Sequence, residues 1–266
     1  MKDKLTPENI KKLKHGKRKI VAITAYDWAT AALSEEASPE IVLVGDSLSM
    51  VALGYENTLP VTMDEMIHHT KAVVRAGLKS LIVADMPFMS CGVSVEDTVF
   101  NAGKFIKKAG AGAVKIEWRK NIVSTVRELV GHGIPVMGHI GLTPQDILVM
   151  GGYKVQGKTP EKVEKLLDNA KELEDAGVFS IVVECVPTSV GKKITESVNV
   201  PTIGIGAGPY CDGQIMVFSD IAGLYDKKKP KFVKVYAEAG KLIRNALASY
   251  AREVREGKFP DEEHSY

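Results

Sequence analysis

Cysteine is scarce in this chain: Cys91, Cys185 and Cys211 are the only three in 266 residues, with no C-x-x-C spacing and no even set. That count offers no disulfide framework and reads as a reducing, cytoplasmic protein. Cys185 directly follows Glu184, which raises a redox or nucleophilic role, but a small buried apolar side chain is the plainer reading. Long apolar runs are also missing. None approaches the roughly 20 residues of a membrane helix, and the polar, Lys-rich N-terminus lacks the apolar stretch of a signal peptide. Net charge is nearly absent at +2. It gives no reason to expect nucleic acid or a membrane as partner, and the basic runs at 11–19 and 227–231 read as solvated surface. No His-x-x-x-His or cysteine cluster offers zinc a site, and His68-His69 falls inside a predicted helix as surface or packing. There is no low-complexity segment and no convincing domain boundary, so residues 1–266 read as one domain.

What the chain does have is an alternation of short apolar runs with helical segments. Thr6 caps a short basic helix with Pro7 in its first turn. Strands are predicted at 20–25, 41–44, 81–84, 113–116, 135–138, 180–183, 202–205 and 215–218. Helices are predicted at 28–37, 63–76, 95–109, 122–130, 160–176, 188–197 and 231–255, with residues 256–266 as a frayed tail. The strands are continuous apolar runs, as expected when both faces are buried. Ala-Gly closes the helices at 76–77, 109–110 and 176–177, fitting glycine C-caps. Eight strands alternating with helices point to a single (β/α)8 TIM barrel, an α/β fold, with an N-terminal helix and a long C-terminal helix. A doubly wound open sheet competes, but no glycine fingerprint follows the first strand. Two connections, 48–62 and 140–159, are longer than structure alone needs. Both leave the strand ends where barrel enzymes keep binding loops, and the second holds a Gly-Gly-Tyr-Lys-Val-Gln-Gly stretch suited to a lid.

One acid after another closes these strands: Asp46, Asp85, Glu117 and Glu184, with His139 closing a similar run. A single strand-end acid is commonly a cap or turn residue. Four that gather on one face repel each other unless something neutralises them. Asp46 and Asp85 are the leading ligands for a hard cation such as Mg²⁺, which prefers one or two carboxylates plus water and substrate. Lys115 and Glu117 lie two apart, so their side chains share one face. Lys115 could hold a substrate carboxylate or an enolate oxygen, or simply pair with Glu117. Glu117 could ligate the metal directly or through water. Glu184 is the candidate general base, its pKa expected to be raised by neighbouring acids and partial burial. Gly204-Ile205-Gly206-Ala207-Gly208 reads equally as a phosphate site, a close approach to a flat ligand, or a tight turn.

At these residues the chain resembles the ketopantoate (3-methyl-2-oxobutanoate) hydroxymethyltransferase family. The matching segments are Val-Gly-Asp-Ser-Leu at 44–48, Thr-Leu-Pro-Val-Thr at 58–62, Asp-Met-Pro-Phe-Met at 85–89 and Val-Lys-Ile-Glu at 114–117. They continue with Gly-His-Ile-Gly-Leu-Thr-Pro-Gln at 138–145, Gly-Gly-Tyr-Lys-Val-Gln-Gly at 151–157, Glu-Cys-Val-Pro at 184–187, Gly-Ile-Gly-Ala-Gly at 204–208 and Asp-Gly-Gln at 212–214. The resemblance implies a (β/α)8 barrel that transfers a hydroxymethyl group from methylenetetrahydrofolate to α-ketoisovalerate (3-methyl-2-oxobutanoate). The product is ketopantoate, on the way to pantothenate and coenzyme A. By position it implies that Asp46 and Asp85 bind Mg²⁺ and touch the substrate, with Glu117 on or near the metal. It implies that Ser47 and Lys115 hold the keto acid, that His139 lines the pocket and that Glu184 accepts the proton. It further implies a homodecamer. Three departures stand out: Ser49 and Trp118-Arg119 where the resemblance leads one to expect glycines, and Ser219 where a histidine is common. The other readings are a Mg²⁺-dependent enolate lyase or mutase of the phosphoenolpyruvate/isocitrate type, and a non-catalytic ligand-sensing barrel. The Lys-Lys-Cys-Gly-His type of motif associated with the lyases is missing.

Overall fold

A computed structural model describes residues 4–16, 18–225 and 229–266. The chain divides into two compact units, Met1–Met216 and Val217–Tyr266. The first unit contains β1 (Ile20–Thr24), β2 (Ile41–Val44), β3 (Leu81–Asp85), β4 (Ala113–Glu117), β5 (Val136–Gly141), β6 (Ser180–Glu184), β7 (Thr202–Ile205) and β8 (Gly213–Met216). Its helices are α1 (Pro7–Lys12), α2 (Trp28–Glu36), α3 (Leu48–Val51), α4 (Met63–Val74), α5 (Val95–Lys104), α6 (Ile122–Gly131), α7 (Ile147–Met150), α8 (Pro160–Asp175) and α9 (Thr188–Ser197). The strands close into a barrel in chain order, every pair parallel, with β8 returning to β1. This is the (β/α)8 barrel expected from the alternation.

The register explains the site. Asp85 pairs with Lys115, Glu117 with His139, and Gly141 with Glu184. Register partners on neighbouring parallel strands share a face, and residues two apart on one strand share it too. Stepping back along that face from the acids leads to Leu81 and Val83, Ala113, Met137 and Val182. These belong to one buried apolar cluster with Ile20, Ile41, Leu43, Ile203 and Ile215. The barrel interior is therefore apolar in its lower layers and polar in its top layer, the C-terminal mouth. Ile10 of α1 joins the lower cluster, with Leu5 and Leu13 packed against it. The N-terminal helix thus adds to the core at the end away from the acids, and Thr6 caps it as expected.

Several boundaries differ from expectation. The eighth strand lies two residues earlier than 215–218. The β1–β8 register sets Gly213 beside Ile20, and a Cβ on Gly213 would come within 2.5 Å of the Ile20 carbonyl oxygen. Only glycine fits so close a strand, a signal that apolar patterning does not carry. The two long connections are not wholly irregular: α3 lies in the first, and a 3-10 turn (Pro144–Asp146) leading into α7 lies in the second. Lys14 departs from the reading of 11–19 as solvated surface: its side chain is 8% exposed and pairs with Asp212 at 2.9 Å. Lys17, Lys227 and Lys228 of the basic runs lie outside the described residues.

The second unit holds α10 (Phe218–Ala222) and α11 (Ala239–Arg255). The helix expected over 231–255 begins only at Ala239. Before it and in its first turn, the backbone is spent on contacts with the end of α10, where Tyr236 N donates to Ile221 O at 2.9 Å and Gly240 N to Gly223 O at 3.1 Å. Residues 256–266 contain a 3-10 turn at Glu262–His264, and Phe259 stands edge-on to Tyr250.

Candidate active site at the C-terminal mouth of the barrel

Six of the seven residues singled out in the sequence converge through direct contacts. Lys115 Nζ lies 2.9 Å from Asp85 Oδ1 and 3.2 Å from His139 Nδ1. His139 Nδ1 is 3.7 Å from Glu117 Oε1, and its Nε2 is 3.2 Å from Glu184 Oε2. Asp46 donates its backbone N–H to Asp85 Oδ2 at 3.2 Å. Asp46, Asp85, Lys115, Glu117 and His139 are all buried, and Glu184 keeps 16% of its side chain exposed. Ser47, the seventh, is held elsewhere in the mouth: its Oγ is 2.9 Å from Tyr26 Oη, which accepts from Thr24 Oγ1 at 2.8 Å.

Sequence reasoning missed Tyr26, Arg119 and above all Gln145. Gln145 donates its side-chain amide to Asp46 Oδ2 (2.9 Å) and Met86 O (2.8 Å), and its backbone N–H to Glu117 Oε2 (3.1 Å). Arg119 Nη2 donates to Gln145 Oε1 at 3.0 Å. The only available signal for Gln145 was its place at the end of the Gly-His-Ile-Gly-Leu-Thr-Pro-Gln segment. Tyr26 lies two residues beyond β1, as Asp46 lies two beyond β2.

The electrostatics follow from crowding four acids around one lysine in a buried site. Burial pulls the Lys115 ammonium down, but Asp85, Glu117 and Asp46 outweigh it and hold its pKa above the ordinary value, so it stays charged. Burial and then the adjacent Lys115 charge keep His139 well below its ordinary pKa, so it is neutral. An ammonium only donates, so the Nδ1 facing it must accept, which places the imidazole proton on Nε2, toward Glu184. Burial pushes Glu184 up to about 7, against the pull of Lys115. The neighbouring acids expected to raise it are not the cause. Burial and then Asp85 lift Asp46 to about 7. Burial and then Asp46 lift Glu117 well above the carboxylate range.

Four carboxylates facing one lysine leave a deficit of positive charge. Glu117 Oε1 is buried without a hydrogen bond among the described groups, and Asp85 Oδ1 has only the Lys115 ammonium beside it. Acid oxygens crowded in a buried pocket, one of them without a hydrogen bond, are donors a hard cation takes. Among the described residues no three His, Cys, Asp or Glu side chains form a ready-made metal cage. The all-oxygen character of the acids suits a hard cation such as Mg²⁺, which keeps water and substrate in its shell.

Of the other candidates, Cys91 and Cys211 are buried and Cys185 is half-buried. Cys91, Cys185 and Cys211 are free thiols. Burial, then Glu184, pushes the Cys185 thiol up to about 12, which leaves it protonated and a poor nucleophile. His68 is exposed, and His69 Nδ1 lies 2.6 Å from Tyr26 O. In the glycine run, a Cβ on Gly204 would meet Cys211 Sγ at 3.1 Å and one on Gly208 the Thr188 side chain at 2.7 Å. Close packing is reason enough for those glycines.

Residues 4–262 match the family model described as ketopantoate hydroxymethyltransferase. The 3-methyl-2-oxobutanoate hydroxymethyltransferase of Carboxydothermus hydrogenoformans is 54% identical over 264 residues, covering 99% of this chain and 96% of that protein. The enzyme of the same name from Geobacter metallireducens is 52% identical over the full length of both chains. Among solved structures, phosphonopyruvate hydrolase in complex with oxalate and Mg²⁺ superposes with a TM-score of 0.62 at 12% identity, covering 98% of this chain and 93% of that one. A 2,3-dimethylmalate lyase of the PEP mutase/isocitrate lyase superfamily gives 0.62 at 14%, over 97% and 91%. At such low identity these two likenesses establish the fold alone. The family match across nearly the whole sequence is of another order: this chain belongs to the ketopantoate hydroxymethyltransferase family and is a hydroxymethyltransferase enzyme.

Proposed function

We propose that this enzyme transfers a hydroxymethyl group from methylenetetrahydrofolate to 3-methyl-2-oxobutanoate, giving ketopantoate for pantothenate and coenzyme A synthesis. The observation that carries the reading is the Glu184–His139–Lys115–Asp85 array, a proton acceptor and a fixed positive charge within one buried site. Asp46 and Asp85, supported by Glu117, would hold Mg²⁺, which polarises the carbonyl of a keto acid and eases proton loss from the adjacent carbon. Lys115 and Ser47 hold the substrate, with the ammonium placed where negative charge grows as the enolate forms. Glu184 takes the proton from the carbon next to the carbonyl, and its raised pKa of about 7 suits a base working near neutrality. His139, neutral with its proton on Nε2, stands 3.2 Å from the Glu184 carboxylate and adds no charge beside it. The enolate carbon then attacks the methylene carbon delivered by the folate; the carbon–nitrogen bonds to the folate break, one water supplies the hydroxyl, and tetrahydrofolate leaves. Phosphonopyruvate hydrolase, with oxalate and Mg²⁺ on the same fold, is a precedent for a small keto acid-like dianion and a cation in such a barrel.

We propose a homodecamer as well. An apolar face of α11 supports burial in an assembly: Leu242, Ile243, Leu247, Tyr250 and Val254 are all exposed on the single chain. The free thiols support a cytoplasmic setting. No helix among the described residues is long and apolar enough to cross a membrane. The deciding experiment supplies methylenetetrahydrofolate, Mg²⁺ and 3-methyl-2-oxobutanoate and follows ketopantoate by mass spectrometry. Product formation is expected. No ketopantoate, with turnover of a phosphoenolpyruvate- or isocitrate-like substrate, would overturn the reading in favour of a lyase or mutase.

A further inference from the structure

Gln145 is 4% exposed and spends its hydrogen-bonding capacity on the carboxylate cluster. Its two amide hydrogens go to Asp46 Oδ2 and Met86 O, its carbonyl takes Arg119 Nη2, and its backbone N–H reaches Glu117 Oε2. The amide has only one workable orientation. Flipped, its oxygen would face two acceptors and its NH₂ would face a guanidinium that can only donate. Arg119 therefore fixes which way the amide points, and Gln145 passes that orientation to the acids. The bond to Glu117 occupies Oε2 and leaves Oε1 buried and without a hydrogen bond.

The choice of an amide is physically pointed. A lysine or arginine touching Asp46 would neutralise it and compete with a cation, whereas a neutral donor restrains the carboxylate and leaves its charge in place. Arg119 supplies positive charge one bond further away. Room for it comes from Gly92, whose backbone sits at φ +90°, and where a Cβ would meet Arg119 Cδ at 3.2 Å. Arg119 is one of the two positions where the chain departs from the glycines expected after Glu117.

We propose that Gln145, locked by Arg119, is a positioning residue. It fixes one oxygen each of Asp46 and Glu117, so that the cluster is pre-shaped for a divalent cation and the keto acid. The inference rests on the proposed Mg²⁺ reading of the same acids. The test is Mg²⁺ binding to the free full-length enzyme by isothermal titration calorimetry, alongside kcat and KM. The proteins compared are wild type, Gln145→Met, Arg119→Met, Arg119→Lys and the Gln145→Met/Arg119→Met double variant, with melting curves to confirm folding. Gln145→Met is expected to weaken Mg²⁺ binding and lower kcat by about 10–100-fold while leaving the folate KM unchanged. Arg119→Met shows a smaller loss, Arg119→Lys restores most of it, and the double variant is no worse than Gln145→Met because Arg119 acts through the amide. Mg²⁺ affinity and kcat within about twofold of wild type in folded Gln145→Met would overturn the strut. If Gln145→Met does not fold, Arg119→Met and Arg119→Lys decide by the same criterion. Failure of the wild-type protein itself to take up Mg²⁺ would count against the metal reading alone, and kcat in the variants would then decide the strut.

Discussion

At the scale of single residues, burial decides what each acid can do. Glu184 is pushed up to about 7 by desolvation, while Lys115 holds its charge because three acids surround it. Glu184→Gln keeps the shape and removes the base. The expected result is a loss of about 10²–10⁴-fold in kcat with keto acid binding retained, measured by steady-state kinetics and calorimetry. Full activity in that variant would remove Glu184 from the role.

The same shift makes a stability prediction. An acid with a raised folded pKa binds its proton more tightly in the folded state than in the unfolded one, so stability falls as pH rises through the gap. For Glu184 the gap runs from its ordinary 4.5 to about 7. The metal-free wild type should therefore lose on the order of 3 kcal/mol across that window from this group, and Glu184→Gln should lose correspondingly less. Denaturant titrations at pH 4.5 and 7.5 check this. Equal slopes for the two proteins would show that Glu184 is not desolvated as described.

At the scale of elements, patterning made most strands and helices legible because it is local. The three Ala-Gly pairs do end helices, and Gly77, Gly110 and Gly177 all lie at positive φ, from 73° to 99°. Each predicted acid closes its strand or follows it closely. Patterning could not place β8 or the start of α11, which are set by one close strand approach and by contacts within the second unit. Gly141 shows how an element can be fixed by the site. It lies at φ +96°, opposite Glu184, and a Cβ there would come within 2.1 Å of the Glu184 carbonyl oxygen. Gly141→Ala is expected to destabilise by about 2–4 kcal/mol and to impair kcat by displacing β6. A thermal melt matching wild type would contradict that packing.

At the scale of the whole barrel unit, stability and chemistry are separated along the axis. The apolar layers with Ile10 lie at one end and the polar layer at the other. Ile10 is fully buried. Ile10→Ala should cost about 2–5 kcal/mol of unfolding free energy, with kcat for the folded enzyme close to wild type. A specific loss of kcat at unchanged stability would show that α1 communicates with the mouth.

The alternation of strands and helices, the glycine caps and the acids at strand ends are legible in the chain alone. These depend on residue type and on spacings of two to four residues, which the chain carries in the open. The resemblance to known transferases named the chemistry. Which acids touch which partners is set by the closed barrel. Register sets Asp85 beside Lys115 and Glu117 beside His139, residues more than 20 positions apart. The closed barrel also decides that His139 is neutral, that Glu184 owes its basicity to burial and not to its neighbours, and that Gln145 and Arg119 belong to the site. Each of these depends on desolvation and on hydrogen-bond geometry between distant segments, which exist only once the barrel has closed.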